Sequence, residues 1–315
     1  MLTLVTGASG FIGSALCARL LRDKTLVRAA VRSLGLQPDS VETVVVESLS
    51  SETDWSKALR RVDQVVHLAA RVHVMSDKGS DPLAEFRRVN VEGTVALARQ
   101  AAASGVRRFV FLSTVKVNGE YTENGKSFTA DDFPRPEDPY GISKYEAEQR
   151  LFQIAAETGI EVVIIRPPLV YGPGVKANFK SMLSCLALGV PLPLSGITYN
   201  RRSLVALDNL VDLIVTCLYH PAAANQVFMV SDGEDLSTVG ILDALGSAMR
   251  RSARLFYLPP GILKLSALVA RKPDIYRRLC GSLQVDITKT RKLLGWVPPV
   301  SVDEAMRLAT KGFRR

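Results

Sequence analysis

The sequence is poor in the residues that form disulfides and metal sites. Its 315 residues include four cysteines, Cys17, Cys185, Cys217 and Cys280, and three histidines, His67, His73 and His220. The cysteines are far apart and the histidines form no ligand motif, so neither a disulfide framework nor a metal site is predicted. We therefore expect a metal-free protein of a reducing compartment, the cytoplasm.

Long apolar runs and runs of like charge are also missing. The apolar segment at residues 2–5 leads into a glycine loop instead of a signal-peptide cleavage site. The longest apolar segment, residues 259–270, is too short to span a bilayer and contains Lys264, so we interpret it as a core or surface helix. The net charge of +9 comes from scattered basic doublets, which argues against a nucleic-acid-binding face and suits an acidic small ligand.

What the sequence does contain is a regular alternation of short apolar, β-branched runs with segments of helical periodicity. The runs lie at residues 2–6, 26–31, 43–46, 64–68, 109–113 and 162–166. Almost continuously apolar strands separated by helices predict a parallel sheet with helices on both faces. We predict an α/β fold, a Rossmann-like doubly wound domain at residues 1–166 with a smaller α/β lobe at residues 167–315.

A glycine-rich loop joins the first predicted strand to the first predicted helix. Its sequence is Thr6-Gly7-Ala8-Ser9-Gly10-Phe11-Ile12-Gly13. Glycines let the backbone turn tightly and approach a pyrophosphate, whose charge is stabilised by the free N–H groups of the helix N-terminus. The loop predicts a dinucleotide site with contacts from Gly7, Gly10, Phe11, Ile12 and Gly13.

The end of the second predicted strand bears on the choice of cofactor. Arg32-Ser33 stands where an NAD-preferring site carries an acidic residue for the ribose hydroxyls. An arginine favours a 2′-phosphate, and Ser33 adds a hydroxyl donor. The sequence therefore favours NADPH or NADP over NAD, with two alternatives: Arg32 only caps the strand, or Arg28 contacts the phosphate.

Three elements, a phenol, an ammonium and a hydroxyl, predict a site for proton transfer. Tyr140 and Lys144 are four residues apart and share one face of a predicted helix. The ordinary pKa of tyrosine is about 10, and a neighbouring ammonium lowers it by stabilising the phenolate. Ser113-Thr114 ends the fifth strand, where a hydroxyl can bind the same reacting oxygen.

Together these segments resemble the extended short-chain dehydrogenase/reductase family, which includes nucleotide-sugar epimerases, dehydratases and reductases. The resemblance covers essentially the whole chain, and implies an enzyme with a nicotinamide cofactor and, as one option, a homodimer. It includes three further motifs: His67-Leu68-Ala69-Ala70, Asn90-Val91-Glu92-Gly93-Thr94 and Arg166-Pro167-Pro168-Leu169-Val170-Tyr171-Gly172-Pro173-Gly174.

The resemblance implies roles for the site residues. Tyr140 is the general acid/base, Lys144 also holds the nicotinamide ribose, and Thr114 supplies the hydroxyl, with Ser113 as its rival. Both Tyr140 and Lys144 contact the cofactor. The other implied cofactor contacts are Ser113, Leu68, Ala69, Ala70 and Pro167.

Four positions carry weaker implications. His67 and Asn90 are expected to organise the core. Ser48 stands where relatives often have an aspartate for the adenine, and Leu169 replaces a polar residue of galactose epimerases. These two departures leave the adenine contacts and the sugar specificity open.

The second lobe resembles that of enzymes that bind uridine diphosphate sugars. Three residues match the clamp that these enzymes place on the diphosphate: Asn178, Arg202 and Arg278. Guanidinium groups suit this role because bidentate hydrogen bonds neutralise and orient a phosphate. The neighbouring Arg201 and Arg277 are their rivals, and His73 and Lys116 are further candidates for contact with the sugar.

The resemblance leads to two main hypotheses of function. The first is NADPH-dependent reduction of the C4 ketone of a UDP-4-keto-6-deoxy-N-acetylhexosamine to UDP-N-acetylquinovosamine or UDP-N-acetylfucosamine, as in bacterial surface-polysaccharide (lipopolysaccharide O-antigen) enzymes. The second is 4-epimerisation of a UDP-hexose or UDP-N-acetylhexosamine with retained NAD. We rank it lower because Arg32 favours the 2′-phosphate of NADP. A nucleotide-binding regulator and a reductase of a steroid or flavonoid ketone are weaker alternatives.

Overall fold

The computed structural model describes residues 1–33, 41–72, 81–123, 125–175, 177–269, 273–311 and 313. The side chains of residues 177, 178, 273 and 274 are not described. Within these ranges, no helix has the length and apolar character needed to cross a membrane.

The described residues include ten strands, which form two sheets. They are β1 (Leu2–Thr6), β2 (Leu26–Val31), β3 (Glu42–Val45), β4 (Gln64–His67), β5 (Arg108–Leu112), β6 (Glu161–Arg166), β7 (Leu169–Tyr171), β8 (Arg202–Ala206), β9 (Gln226–Met229) and β10 (Asp235–Leu236). The large sheet has the order β3-β2-β1-β4-β5-β6-β9, and every neighbouring pair in it is parallel. The small sheet has the order β10-β8-β7.

Helices connect the strands. They are α1 (Phe11–Arg22), α2 (Ser56–Leu59), α3 (Pro82–Arg87), α4 (Gly93–Ala103), α5 (Pro139–Thr158), α6 (Ala177–Leu188), α7 (Leu207–Tyr219), α8 (Thr238–Ala248), α9 (Pro260–Val269), α10 (Pro273–Cys280), α11 (Thr288–Leu294) and α12 (Val302–Thr310). A π-helical segment, Arg88–Glu92, joins α3 to α4 without a break.

Hydrophobic cores cover both faces of the large sheet. On one face α1 and α7 contribute Leu16, Leu20, Leu210 and Ile214. The other face is covered by apolar residues of α4 and α5, and a third core fills the C-terminal lobe between α6, α8 and α12. Burial on both faces explains why the strands are apolar at nearly every position.

The predicted α/β fold is confirmed. Each of the six predicted strands is present, with bounds within one residue of the expectation. The order 3-2-1-4-5-6 is that of doubly wound dinucleotide-binding sheets. The seventh strand, β9, comes from the second half of the chain and pairs with β6. The division at residue 166 stays a prediction, since the large sheet draws on both halves.

Candidate active site

The residues singled out in the sequence come together at the carboxyl edge of the large sheet. Thr6 ends β1, Arg32 follows β2, His67 ends β4 and Thr114 follows β5. Ligands of doubly wound sheets bind at this edge, at the point where the strand order reverses. The candidate site therefore lies between strands that are far apart in the chain.

The glycine loop leaves no room for two side chains. Gly7 has φ +67°, and a Cβ atom there would lie 2.9 Å from the backbone nitrogen of Ala69. A Cβ atom on Gly13 would lie 2.1 Å from the carbonyl oxygen of Gly7. Only glycine therefore allows the loop, the end of β4 and α1 to approach so closely.

Gly10 of this loop is the N-cap of α1, and it has no side chain that could accept hydrogen bonds from the N–H groups of the first turn. These N–H groups and the helix dipole favour a negatively charged group. Phe11 and Ile12 pack against the core and so fix the direction of the helix. The loop fits the pyrophosphate of a dinucleotide, and the individual contacts remain predictions.

The hydroxyl of Thr6 fixes the backbone that faces the loop. It accepts hydrogen bonds from the N–H groups of Leu68 and Ala69, each at 3.2 Å, so its own hydrogen points to Nδ1 of His67 at 2.7 Å. Nε2 of His67 lies 3.0 Å from Oγ1 of Thr94, which itself donates to a carbonyl one turn earlier. Both ring nitrogens of His67 are used in this network, so its role is structural.

Lys144 lies on the buried side of α5. Its Nζ is 3.8 Å from the ring centroid of Phe111, and this ring stacks on His67. Burial lowers the pKa of Lys144 to about 7, and the charge of Glu148, one turn further along α5, opposes part of this shift. Burial and then the charge of Lys144 lower the pKa of His67 to about 3, so His67 is neutral beside the lysine.

Tyr140 is partly exposed in the first turn of α5. Its ring lies 6.1 Å from that of Phe86, and its hydroxyl makes no hydrogen bond to another described residue. Burial, and then the charge of Asp138, raise the pKa of Tyr140. The expectation that Lys144 lowers this pKa is wrong, because both causes act upward and Lys144 faces the Phe111 ring. Tyr140 therefore holds its proton at neutral pH.

The two candidate hydroxyls after β5 have different surroundings. Ser113 is buried and donates to the Glu148 carboxylate, which also pairs with Arg166 through two hydrogen bonds of 2.5 and 3.0 Å. Oγ1 of Thr114 accepts a long hydrogen bond, 3.3 Å, from the backbone nitrogen of Lys116. The hydrogen of the Thr114 hydroxyl has no acceptor among the described residues. Thr114 is therefore the better placed donor.

The remaining predicted cofactor contacts surround this edge. Leu68, Ala69 and Ala70 are partly exposed after β4. Pro167 is buried, and its carbonyl oxygen accepts from the Val115 nitrogen at 3.0 Å, which brings the end of β6 beside the turn after β5. Their contact with a cofactor remains a prediction.

Asn90, in the π-helical segment, joins the loop after β4 to α5. Its side chain accepts from the backbone nitrogen of Arg71 at 2.8 Å, and donates to the Arg71 carbonyl and to Oγ of Ser143, each at 3.0 Å. The Ser143 hydroxyl in turn donates to the Tyr140 carbonyl at 2.8 Å. π-Helical segments often mark functional sites, and this one fixes the helix that carries Tyr140.

Lys116, predicted as a sugar contact, lies between two carboxylates. Its Nζ is 2.6 Å from Asp138 and 2.7 Å from Glu120. Burial lowers its pKa, but the hydrogen bonds to Asp138 and Glu120 outweigh burial and the net shift is upward. The other oxygen of Asp138 accepts from the Gly141 nitrogen at 2.6 Å as the N-cap of α5. Lys116 thus ties the turn after β5 to the start of α5.

Arg32 and Ser33 are exposed beyond the end of β2. Arg32 forms no ion pair with another described residue. Arg28, its rival, is buried, pairs with Glu42 at 2.9 Å and donates to two backbone carbonyls. Its two terminal nitrogens are engaged within the fold and its side chain is buried, so Arg32 is the arginine that remains available for an anion.

The C-terminal lobe brings two of the predicted clamp residues together. Arg202, at the start of β8, donates to the Gly281 carbonyl at 3.0 Å. Burial, and then the positive charge of Arg278, lower the pKa of Arg202, so the two arginines repel each other. Arg201 instead donates to carbonyls of its own loop, and Arg277 is exposed on α10. The Arg202–Arg278 pair is a positively charged site.

Two other predicted substrate contacts cannot be located. His73 and the side chain of Asn178 lie outside the described residues.

Two residues of the site were missed in the sequence. Asp138 stands directly before Pro139, the usual pattern of an N-cap followed by proline, and this pattern was the available signal. Glu148 follows Lys144 by four residues and so shares its helix face. Its burial with Arg166 depends on the packing of β6 and has no local signal.

Comparisons with known proteins agree with this geometry. The sequence profile of the NAD dependent epimerase/dehydratase family matches residues 3–231. A UDP-glucose 4-epimerase of Vibrio cholerae is 47% identical over 98% of this chain and 94% of its own length. A dihydroflavonol 4-reductase of Zea mays is 32% identical over 76% of this chain and 71% of its own length.

Solved structures agree in fold. The structure of UDP-glucuronic acid 4-epimerase from Bacillus cereus in complex with NAD aligns with a TM-score of 0.79 and 24% identity, and covers 99% of this chain and 96% of that one. On the match of its sequence over most of its length, the chain belongs to the NAD dependent epimerase/dehydratase family.

Proposed function

We propose that the protein is a UDP-sugar 4-epimerase in which Tyr140 moves the proton of the C4 hydroxyl. The observation that carries the proposal is the end-to-end similarity to the Vibrio cholerae UDP-glucose 4-epimerase, in a chain that also has Tyr140, Lys144 and Thr114 at one sheet edge. This order of the two main hypotheses is the reverse of the one drawn from the sequence alone.

The proton chemistry belongs to Tyr140. Tyr140 takes the C4 proton as a phenolate when the sugar is oxidised, and returns it as a phenol when the ketone is reduced. Its pKa is raised in the resting site, so the positive charge of a bound oxidised nicotinamide would be needed to favour the phenolate. Lys144 is assigned to the nicotinamide ribose. The Thr114 hydroxyl is free to donate to the C4 oxygen and to orient it. A bound nicotinamide dinucleotide would supply the acceptance and return of hydride at C4.

The residues that would hold this cofactor fit its shape and charge. The tight glycine loop and the first turn of α1 suit the pyrophosphate. The partly exposed backbone at Ala69 and Ala70 borders the same space. On the substrate side, the Arg202–Arg278 pair suits a diphosphate, because guanidinium groups bind phosphate oxygens through paired hydrogen bonds.

The test uses purified protein without added reduced cofactor. We expect interconversion of UDP-glucose with UDP-galactose, or of the two N-acetylhexosamine counterparts, in product NMR spectra, and no net change in nicotinamide absorbance. Tyr140→Phe is the inactive control, with a loss of about a hundredfold or more because the group that accepts and returns the C4 proton is removed. Absence of interconversion with all four nucleotide sugars would refute the proposal.

A second candidate is NADPH-dependent reduction of a UDP-4-keto-6-deoxy-N-acetylhexosamine. It is favoured by the exposed Arg32 at the end of β2, where NAD enzymes carry an acid, and by the similarity to the Zea mays reductase. Stoichiometric NADPH oxidation with this ketone, and one C4 epimer as product, would support it.

The cofactor experiment separates the candidates independently. Arg32→Asp is expected to lower the NADPH-to-NADH ratio of kcat/KM by about tenfold or more, because a charge-assisted contact with the 2′-phosphate contributes roughly 1.5–3 kcal/mol. Tightly bound NAD released from denatured wild-type protein would favour the epimerase. An unchanged ratio would remove Arg32 from cofactor selection.

A further inference from the structure

Helix α9 is apolar on both of its sides, yet none of its residues is buried. Leu263 packs on the core of the C-terminal lobe. The outward side chains are those of Ile262, Leu265, Leu268 and Val269, which are 53%, 61%, 53% and 78% exposed. Their spacing of three and four residues places them on one face. A helix with large apolar side chains on two faces normally buries both of them, so the outward face suits an apolar partner.

Aromatic side chains extend this outward face. Phe256 and Tyr257, just before α9, are 48% and 66% exposed, and Ile275 on the adjacent α10 is 48% exposed. Isolated exposed apolar residues are normal on protein surfaces, whereas a contiguous patch marks an interaction site. We name the set formed by α9, Phe256, Tyr257 and Ile275 the apolar ridge.

The sequence that contains α9 is mainly basic, with Asp243 and Asp274 at its two borders. Residues 244–273 contain no acidic residue but six basic ones, Arg250, Arg251, Arg254, Lys264, Arg271 and Lys272. Lys264 is exposed on α9 itself, and the exposed Arg277 and Arg278 follow on α10. The complementary partner is therefore anionic as well as apolar.

We propose that the apolar ridge docks onto a lipid bilayer that contains anionic lipids. Leucine and isoleucine side chains insert at the boundary of headgroups and acyl chains, aromatic rings lie at the interface, and lysine and arginine attract anionic headgroups. A second copy of the chain is a poorer occupant, because a two-fold contact would bring two acid-free basic segments against each other. The inference is independent of the proposed function.

The test is cosedimentation of the full chain with vesicles of phosphatidylcholine, alone or mixed with phosphatidylglycerol. We expect binding to the mixed vesicles that weakens with added salt, and little binding to phosphatidylcholine alone. Leu265→Glu is expected to weaken binding about tenfold or more, because it removes inserted apolar surface and adds a repelled charge. Lys264→Glu is expected to weaken binding about fivefold or more.

Leu26→Glu is the matched control, since Leu26 on β2 is 66% exposed, as against 61% for Leu265; its binding is expected to equal that of the wild type. Circular dichroism and the unfolding temperature verify that each variant is folded, and Leu268→Glu replaces Leu265→Glu if that variant is not. Absence of binding to mixed vesicles, or an equal loss in Leu26→Glu, would overturn the proposal. The proposal would also be overturned if light scattering detected a dimer and Leu265→Glu dissociated this dimer without weakening vesicle binding.

Discussion

At the scale of single residues, the neighbouring hydroxyls of Ser113 and Thr114 have different hydrogen-bond partners, and we therefore expect different roles for them. Thr114→Val removes a hydroxyl whose hydrogen has no acceptor among the described residues, so we expect kcat to fall about a hundredfold with little change in stability. Ser113→Ala removes a donor to the buried Glu148 carboxylate, so we expect near-normal turnover and a loss of about 1–3 kcal/mol in the free energy of unfolding. Urea unfolding and steady-state kinetics of both variants check the assignment, and a reversed pattern would make Ser113 the functional hydroxyl.

Lys116 gives a second residue-scale prediction. Lys116→Met leaves Asp138 without its cation at the start of α5, so the pKa of Tyr140, already raised by Asp138, is expected to rise further. We expect kcat to fall about tenfold, the tyrosine limb of the pH–rate profile to move to higher pH, and KM for the nucleotide sugar to stay nearly constant. Lys116→Arg is the matched rescue variant. A large rise in KM at constant kcat would instead support the predicted sugar contact.

His67 gives a prediction about pH and stability. Its pKa is lowered to about 3 in the folded chain from an ordinary 6.5, so the unfolded chain takes up a proton in this range and the folded chain does not. Stability is therefore lost as pH falls from about 6.5 toward 3, with a slope of up to about 1.4 kcal/mol per pH unit from this group. His67→Gln should show a shallower slope in urea unfolding over that range. Parallel slopes would mean that His67 is protonated in the folded chain.

At the scale of the elements, the strands could be predicted because each one is short, apolar and buried on both faces, so its local composition reports its position. Strand β9 could not be predicted in this way. Its four residues are not part of a long apolar run. Their place beside β6 depends on a return of the chain after a stretch that includes β7, β8, α6 and α7. The π-helical segment has no composition signal either, because it is defined by backbone hydrogen bonds such as that from the Gly93 nitrogen to the Arg88 carbonyl.

The contact between α7 and the large sheet gives an element-scale prediction. Arg108, buried at the start of β5, donates to the carbonyls of Cys217, Leu218 and His220 at 2.8, 3.1 and 2.9 Å, and pairs with Glu161 at 2.6 Å. Cys217 and Leu218 lie in the last turn of α7 and His220 is its C-cap, so Arg108 ties the end of this helix to the large sheet. Arg108→Met should therefore lower the free energy of unfolding by about 3 kcal/mol.

The readout for Arg108→Met is the urea midpoint, with dinucleotide affinity as the control. Because Arg108 lies at the amino end of β5, away from the carboxyl edge, the affinity should match that of the wild type. A loss of affinity without a loss of stability would contradict this structural role.

At the scale of the whole molecule, the site could be predicted only in its parts. The glycine loop and the Tyr140–Lys144 pair are local patterns, and both lie where the pattern requires. Burial raises the pKa of Tyr140, which lies beside Phe86, and lowers that of Lys144, which lies over Phe111. This burial depends on elements distant in the sequence, so residue spacing alone led to the wrong sign for Tyr140. The choice of Arg202 over Arg201 likewise depends on the fold of the C-terminal lobe.

The last prediction tests whether the two lobes act together. Arg202 is on β8 of the small sheet and Tyr140 on α5, which packs on the large sheet, so a diphosphate held by Arg202 would position the sugar from a distance. Arg202→Ala should lower kcat/KM about ten- to a hundredfold, the loss of one charge-assisted contact. Part of this loss should fall on kcat, because remote binding energy orients the C4 carbon for reaction.

The matched control for Arg202→Ala is Arg201→Ala, whose guanidinium bonds only carbonyls of its own loop and should leave both constants within about twofold. Arg278→Ala should resemble Arg202→Ala, because the two guanidinium groups share one site, and the double variant should lose less than the sum of the single losses. Titration of UDP by calorimetry gives the binding part alone. If Arg202→Ala binds UDP as the wild type does, the diphosphate is held elsewhere, and the sugar is oriented by residues of the large sheet.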